Sequence, residues 1–302
     1  MSLLLAILTA AFVFLLSVTL VIFIIGPTLL LQPKRRRKEF YSALGLPVTP
    51  ADVGLKYEEI NILTGDGLRL NGWLVKAGQQ ARGTVLFLHG VGDCKIAGIP
   101  YAKLFYEQRF NSFLYDSRRH GESEGTYCTY GYHEKDDVVR IIDYLSSRSD
   151  IRLGKVGVFG TSMGAAVAIQ AAAIDKRVVA IVAENSFATL RSIFDDYQRR
   201  MIKLPFHYLR NIVIKRSEHI AQFKANDVSP LESVANINLP IIFIHCTNDR
   251  LINPKYSRML YDSTNPPKEL FAIEGAAHND AWSIGGARYE NKLTEFFSKN
   301  LT

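Results

Sequence analysis

Residues 160–164 read Gly-Thr-Ser-Met-Gly and place Ser162 between two glycines. An apolar run at 156–159 precedes them and a stretch rich in small residues at 164–173 follows, which predicts a strand, a tight turn and a helix. Such a turn exposes the serine hydroxyl at the end of the strand, and the glycines give the crowded backbone room. We interpret Ser162 as the nucleophile of a nucleophile elbow. The alternative is a serine in an ordinary glycine-rich turn.

A serine hydroxyl becomes an effective nucleophile when a base takes its proton and a third group orients that base. After a nucleophile elbow, the expected chain order is nucleophile, acid, histidine. His278 lies beyond the last predicted strand (269–273) and is the candidate base, the alternative being an exposed loop histidine. Asp249 follows the predicted strand 241–244 and is the candidate acid, although an Asx turn would also explain it. Asp280 is the second candidate for the acid.

A tetrahedral intermediate also needs two backbone N–H groups directed at its oxyanion, each worth about 3 kcal/mol of the barrier. Met163, directly after the nucleophile, is the first candidate donor. The second is Val91, in the loop His-Gly-Val-Gly-Asp (89–93) that follows the predicted strand 84–88. The glycines let this backbone approach a substrate. We expect His89 to anchor the loop rather than act as a second base.

Composition and motifs exclude several other classes of function. The sequence has no Walker loop, no GxGxxG after its first strand, no HExxH and no EF-hand, so we expect no cofactor and no metal site. Three scattered cysteines, Cys94, Cys128 and Cys246, do not form a disulfide framework or a zinc motif. Residues 34–38 supply five of the seven net positive charges. The rest of the chain is nearly neutral, which argues against a nucleic-acid partner.

The first 33 residues carry no charged side chain, and residues 3–25 form an apolar helix of roughly 34 Å. We interpret residues 1–33 as a single-pass transmembrane anchor. A cleavable signal peptide would need a basic start and a shorter apolar core, and a buried core helix would show a polar face. The basic cluster at 34–38 follows the span, so we expect a cytoplasmic body. The cluster either contacts anionic headgroups or acts only as a stop-transfer flank.

Beyond a basic juxtamembrane linker at 34–56, the sequence predicts a single α/β domain at 57–302. Strand-like runs at 57–63 and 68–75 form a hairpin, and short apolar runs then alternate with helical patterns. This alternation predicts a mostly parallel central sheet with helices on both faces. Residues 187–233 are too long for an ordinary connection and are predicted to form an inserted helical cap, with helices over 190–201 and 206–214. Its aromatic residues either line a substrate pocket or pack on the sheet.

These motifs together resemble the α/β-hydrolase superfamily, over residues 57–297. The closest resemblance is to the BEM46-like and lysophospholipase-like group, of the serine aminopeptidase S33 type. The resemblance rests on His89-Gly90, residues 116–123 (Asp-Ser-Arg-Arg-His-Gly-Glu-Ser), the elbow at 160–164, Asp249 and His278. It implies that Asp116 and His120 brace the site without taking part in catalysis. The sequence departs from the family at His245-Cys246, where His-Gly is common.

The sequence thus predicts a membrane-anchored serine hydrolase that cleaves carboxylic esters, acyl or lipid-like, through an acyl-enzyme. The expected partners are an ester substrate and, through the anchor and the basic cluster, a membrane. A thioesterase, amidase or peptidase would use the same groups, because the triad does not choose the leaving group. A binding or scaffold protein that keeps this fold without turnover is the alternative from another class.

Overall fold

The computed structural model describes residues 3–201 and 207–301. Eight strands form one sheet, in the order β1-β2-β4-β3-β5-β6-β7-β8. The hairpin strands β1 and β2 are antiparallel to their neighbours, and all other pairs are parallel. The strands are β1 (Glu58–Leu63), β2 (Arg69–Val75), β3 (Gly83–Leu88), β4 (Asn111–Tyr115), β5 (Lys155–Thr161), β6 (Val178–Glu184), β7 (Ile241–Cys246) and β8 (Lys268–Ile273). The predicted mostly parallel α/β sheet is confirmed.

Eleven α-helices accompany the sheet in the described residues. They are α1 (Leu3–Leu20), α2 (Gly26–Leu31), α3 (Lys38–Ala43), α4 (Ile99–Glu107), α5 (Glu134–Ser147), α6 (Met163–Ile174), α7 (Leu190–Met201), α8 (His207–Ala221), α9 (Pro230–Val234), α10 (Lys255–Ser263) and α11 (Ala281–Leu301). A π-helical turn, Val21–Ile25, joins α1 and α2 into one continuous helix. Gly286 has non-helical dihedrals and kinks α11.

Helices cover both faces of the sheet because its central strands are apolar on both sides. All six residues of β3 are buried, as a parallel strand between two helical layers requires. Helices α5, α6, α9 and α10 contribute to the hydrophobic core on one face. Helices α4 and α11 contribute to the core on the other, together with Tyr41 from α3. The carboxyl ends of the parallel strands therefore meet at one edge, where the candidate site lies.

The amino-terminal helix Leu3–Leu31 is long and apolar enough to cross a membrane, with a mean hydropathy of 2.8. Most of it lies outside the core of the body, but its last turns pack on the body. Leu31 is only 1% exposed, and Gly26 lies against Val213 of α8 so closely that a Cβ there would meet the valine methyl groups at 2.9 Å. The helix therefore ends inside the packing of the body.

Three helices, α7, α8 and α9, lie between β6 and β7, in the region predicted as the cap. The first predicted cap helix has the observed bounds, Leu190–Met201. The second is observed from His207 to Ala221, and its predicted start at Phe206 lies outside the described residues, as do residues 202–205 of the cap and Met1 and Ser2 of the anchor. A separate apolar cluster joins the cap to α6 and to Leu31. The division into anchor, linker and capped domain stays a prediction.

Candidate active site

Ser162 lies in the turn between β5 and α6, where the sequence predicts the nucleophile elbow. Its backbone has φ 54° and ψ −116°, a strained conformation for a residue with a side chain. Both flanking positions require glycine because the backbone is too close for a side chain. A Cβ on Gly160 would lie 2.2 Å from the Gly164 oxygen. A Cβ on Gly164 would lie 2.0 Å from the Leu88 oxygen. The Ser162 N–H donates to the Glu184 oxygen at 2.8 Å, which holds the turn against β6.

The structure brings Ser162, His278 and Asp249 together in one hydrogen-bonded chain. His278 Nε2 lies 3.0 Å from Ser162 Oγ, and His278 Nδ1 lies 2.6 Å from Asp249 Oδ2. The Asp249 side chain is 1% exposed and that of His278 is 12% exposed. A carboxylate at Nδ1 selects the tautomer with hydrogen on Nδ1, which leaves the Nε2 lone pair directed at the serine hydroxyl. This arrangement can remove a proton from Ser162.

Two further hydrogen bonds orient Asp249 in this chain. Its Oδ1 accepts from the N–H groups of Leu251 at 2.7 Å and Ile252 at 2.8 Å, which is the Asx-type turn that the sequence analysis offered as an alternative. The turn and the contact with His278 therefore use different oxygens of one carboxylate. Asp280, the second candidate for the acid, has its N–H bonded to the Ala277 oxygen and its carbonyl bonded to the Ile284 N–H. Its backbone thus starts α11, while Asp249 occupies the Nδ1 position.

The two candidate oxyanion donors flank the nucleophile. Met163 is the first residue of α6, so its N–H is one of those that a helix start leaves without an intrahelical acceptor. The loop containing Val91 passes over Ser162, since a Cβ on Gly90 would come within 3.3 Å of Ser162 Cβ. Neither N–H donates to a backbone carbonyl in the turns and loops of the described chain. Met163 and Val91 therefore stay the candidate donors to an oxyanion.

His89 holds the start of this loop, as expected for an anchor. Its Nε2 accepts from the Ser117 N–H at 3.0 Å, so its Nδ1 donates to the Gly90 oxygen at 2.8 Å. The neighbouring Asp116 accepts from the backbone of Lys95 and Glu122. The His89–Ser117 and Lys95–Asp116 contacts join the loop after β3 to the loop after β4, whereas the Glu122 contact lies within the latter.

His120 is fully buried beside His89, and burial, with the neighbouring His89, lowers the pKa of His120 to about 3. His120 therefore stays neutral over the physiological pH range. Its Nδ1 lies 2.9 Å from the Arg118 oxygen, within its own loop. These contacts fit the bracing roles that the family resemblance implies for Asp116 and His120.

Asn185, which no sequence motif singles out, is 3% exposed and connects the end of β7, just before the acid's loop, to the loop that carries the base. Its Oδ1 accepts from the Cys246 N–H at 2.9 Å, and its Nδ2 donates to the His278 oxygen at 3.0 Å. The departure from the family at Cys246 is accommodated at this point, because the thiol is buried against the Asn185 amide. A polar residue directly after the buried strand β6 was the available signal.

Glu184, the last residue of β6, is a second buried polar group below the site. Burial raises its pKa to about 7, although the Tyr289 hydroxyl donates to its Oε2. Within the described residues, no group of three or more His, Cys, Asp or Glu side chains is arranged to hold a metal ion.

Comparison with known proteins agrees with this geometry. The family described as alpha/beta hydrolase fold matches residues 83–219. YqkD of Bacillus subtilis is 30% identical over 215 residues, which cover 70% of each chain. The protein bem46 of Schizosaccharomyces pombe is 26% identical over 258 residues, which cover 83% of this chain and 80% of bem46.

Among solved structures, the esterase Pf2001 of Pyrococcus furiosus is 26% identical, with a TM-score of 0.71. The match covers 84% of this chain and 95% of the esterase. Esterase-like neighbours of this kind indicate a hydrolase, as the resemblance drawn from the sequence implied. The chain belongs to the α/β-hydrolase family, within the group that includes bem46.

Proposed function

We propose that this protein is a membrane-anchored serine hydrolase that cleaves carboxylic esters through an acyl-enzyme. The observation that carries the proposal is the chain of hydrogen bonds from Asp249 through His278 to Ser162, at 2.6 and 3.0 Å. Burial of the acid supports it, since the carboxylate that orients the imidazole is shielded from water. The strained backbone of Ser162 supports it as well, because strain at one residue is characteristic of functional sites.

In the acylation step, Ser162 Oγ attacks the ester carbonyl carbon while its proton passes to His278 Nε2. The carbonyl oxygen becomes an oxyanion and accepts hydrogen bonds from the N–H groups of Val91 and Met163. When the intermediate collapses, the bond to the alcohol oxygen breaks and His278 gives the proton to that oxygen. Water then attacks the acyl-enzyme, passing its proton to His278, which returns it to Ser162 as the acid leaves.

An acyl or lipid-like ester is the substrate class that the surroundings favour. The apolar helix Leu3–Leu31 would hold the body beside a bilayer, and Leu31 belongs to the same apolar cluster as Ala166 on the nucleophile helix. Phe194 of the cap packs edge-on against Tyr130 in this region. Thioesters and amides would use the same catalytic groups, so a substrate panel has to decide between leaving groups.

The test uses the full chain in detergent micelles and a fluorophosphonate probe, which labels activated serines. We expect labelling of the wild type, loss of labelling in Ser162→Ala, and unchanged labelling in Ser146→Ala, which alters an exposed serine on α5. Short-chain and long-chain esters, a thioester and an amide are then compared on the same samples. A folded wild type that neither labels nor hydrolyses any of them would instead support the non-catalytic scaffold.

A further inference from the structure

The loop after β3 positions the Val91 amide, and its first half is held from inside the domain. Gly90 packs on Ser162, and both ring nitrogens of His89 are engaged, one with Gly90 and one with Ser117. The second half consists of Gly92 and Asp93. What holds that half determines whether the Val91 N–H keeps its direction.

The second half of the loop is held by the segment that follows the membrane helix. The Arg36 N–H donates to the Gly92 oxygen at 2.9 Å, and Arg36 Nη1 pairs with Asp93 Oδ2 at 3.1 Å. The Tyr41 hydroxyl donates to Asp93 Oδ1, and Tyr41 itself is only 8% exposed. The same Oδ1 accepts from the Cys94 N–H at 2.9 Å, within its own loop. The Asp93 carboxylate therefore ties this loop to both Arg36 and Tyr41.

The close approach of the two backbones excludes a loose tether at this point. Gly92 has φ 75°, and a Cβ there would lie 2.8 Å from the Lys34 oxygen. Only glycine allows the segment to pass so close to the loop. The guanidinium of Arg36 also lies 4.6 Å from the Phe40 ring, which holds the side chain toward Asp93.

The other end of the segment reaches the second candidate donor. The Leu31 oxygen accepts from the Cys128 N–H at 2.8 Å, and Cys128 Sγ lies 3.4 Å from Met163 Sδ. Residues 31–41 therefore extend from the neighbourhood of the Met163 donor to the loop of the Val91 donor. The Val91 flank of the proposed oxyanion hole contacts the predicted linker, and the Met163 flank is reached through Cys128 from Leu31, at the end of the apolar helix.

We infer that Arg36 and Tyr41 are positioning residues that hold the Val91 N–H in the oxyanion hole through Asp93. The inference rests on the proposed function. An oxyanion donor must lie about 2.7–3.1 Å from the developing charge, so a small displacement of the loop weakens the bond made in the transition state. The same displacement leaves binding of the uncharged ester nearly unchanged. Loss of the clamp should therefore reduce kcat rather than raise KM.

The experiment compares Arg36→Ala, Arg36→Lys and Tyr41→Phe in the full chain. We expect Arg36→Ala and Tyr41→Phe to lower kcat about 10- to 100-fold with KM within about twofold, since complete loss of a donor costs about 100- to 1000-fold. Affinity for a trifluoromethyl ketone, whose hemiketal oxygen occupies the oxyanion hole, should fall by the same factor as kcat/KM. Arg36→Lys should recover part of kcat because an ammonium still pairs with Asp93.

The matched controls, Arg152→Ala and Tyr106→Phe, alter exposed side chains of the same types and should match the wild type.

Thermal unfolding confirms that each variant is folded, and hydrogen exchange of residues 89–94 should accelerate in the two clamp variants. An active wild type with unchanged kcat and unchanged exchange in these variants would overturn the inference and leave the proposed function intact. Proportional loss of kcat and of folded protein would overturn it as well. A folded wild type without esterase activity or probe labelling would overturn both the inference and the proposed function, because the loop would then have no oxyanion to bind.

Discussion

Asp249 is the residue whose assignment from sequence had a direct competitor. In the structure one oxygen of its carboxylate contacts His278 and the other accepts from two backbone N–H groups. We expect Asp249→Asn to lower kcat for an ester about 10³- to 10⁴-fold, because an amide at this position favours the wrong imidazole tautomer. Asp280→Asn is the matched control and should stay within about threefold of the wild type. Steady-state kinetics would refute the assignment if the Asp280 variant were the more damaged.

The buried Glu184 leads to a prediction about how the stability of the protein depends on pH. Burial raises the pKa of Glu184 from 4.5 to about 7. The folded state therefore binds a proton that the unfolded state releases, and stability falls as pH rises from about 4.5 to 7. Glu184→Gln removes this loss, so we expect its free energy of unfolding to exceed that of the wild type by roughly 3 kcal/mol at pH 8.

The Glu184→Gln gain should disappear below pH 4.5, where the wild-type carboxyl is protonated in both states. Thermal unfolding in detergent at both pH values, with the exposed Glu107→Gln as control, measures it. Equal stabilities of wild type and variant at pH 8 would show that Glu184 does not titrate as proposed.

At the residue scale, the sequence predicts contacts best where chemistry restricts the residue type. A nucleophile, a base and an acid have few candidates, and chain order selected Ser162, His278 and Asp249, which the structure brings within hydrogen-bond distance. Asn185 was missed because an asparagine after a strand has many roles. Its function as a connection follows only from the distances to Cys246 and His278, residues 61 and 93 positions away.

At the scale of elements, the elbow depends on the contact of α6 with the end of β3. A Cβ on Gly164 would lie 2.0 Å from the Leu88 oxygen, a backbone atom that cannot move without displacing the strand. We expect Gly164→Ala to cost roughly 3 kcal/mol of stability or more, the upper part of the range for overpacking. Fluorophosphonate labelling should fall with it, because the displaced strand carries the loop of Val91.

Gly65→Ala is the matched control for the elbow variant. A Cβ at Gly65 would meet only the end of the Arg140 side chain, at 3.6 Å, so we expect no loss of stability or labelling. Thermal unfolding and probe labelling are measured on both variants. Equal stability of the two variants would contradict the proposed packing constraint.

The elements themselves were largely predictable, and the exception has a physical reason. Continuous apolar runs indicate buried parallel strands, and these were found close to their predicted bounds. The basic segment at 34–56 has the composition of a solvated linker, yet it contains α3 and buries Tyr41. Its partners, such as Asp93, lie more than fifty positions along the chain. Composition shows that the segment is charged, but it does not show which carboxylate pairs with each charged side chain.

At the scale of the whole molecule, the orientation in the membrane is a prediction from charge. With the basic cluster at 34–38 directly after the apolar helix, the body should lie on the cytoplasmic side. In sealed inside-out vesicles, added protease should digest the body, and in right-side-out vesicles it should not. Detergent permeabilisation is the control, since it should expose the body in both preparations. Digestion only in right-side-out vesicles would reverse the orientation.

The docking of Leu31 on Cys128 has a consequence for how the enzyme reaches its substrate. The helix Leu3–Leu31 has 29 residues, about 43 Å, whereas a bilayer hydrocarbon core is about 30 Å thick. Leu31 and Arg36 are both hydrogen-bonded to the body. With the helix in a bilayer, as proposed, its position in the bilayer therefore sets the height of Ser162 above the lipid. Turnover in vesicles should therefore respond to acyl-chain length of the host lipid, even for one unchanging ester dissolved in it.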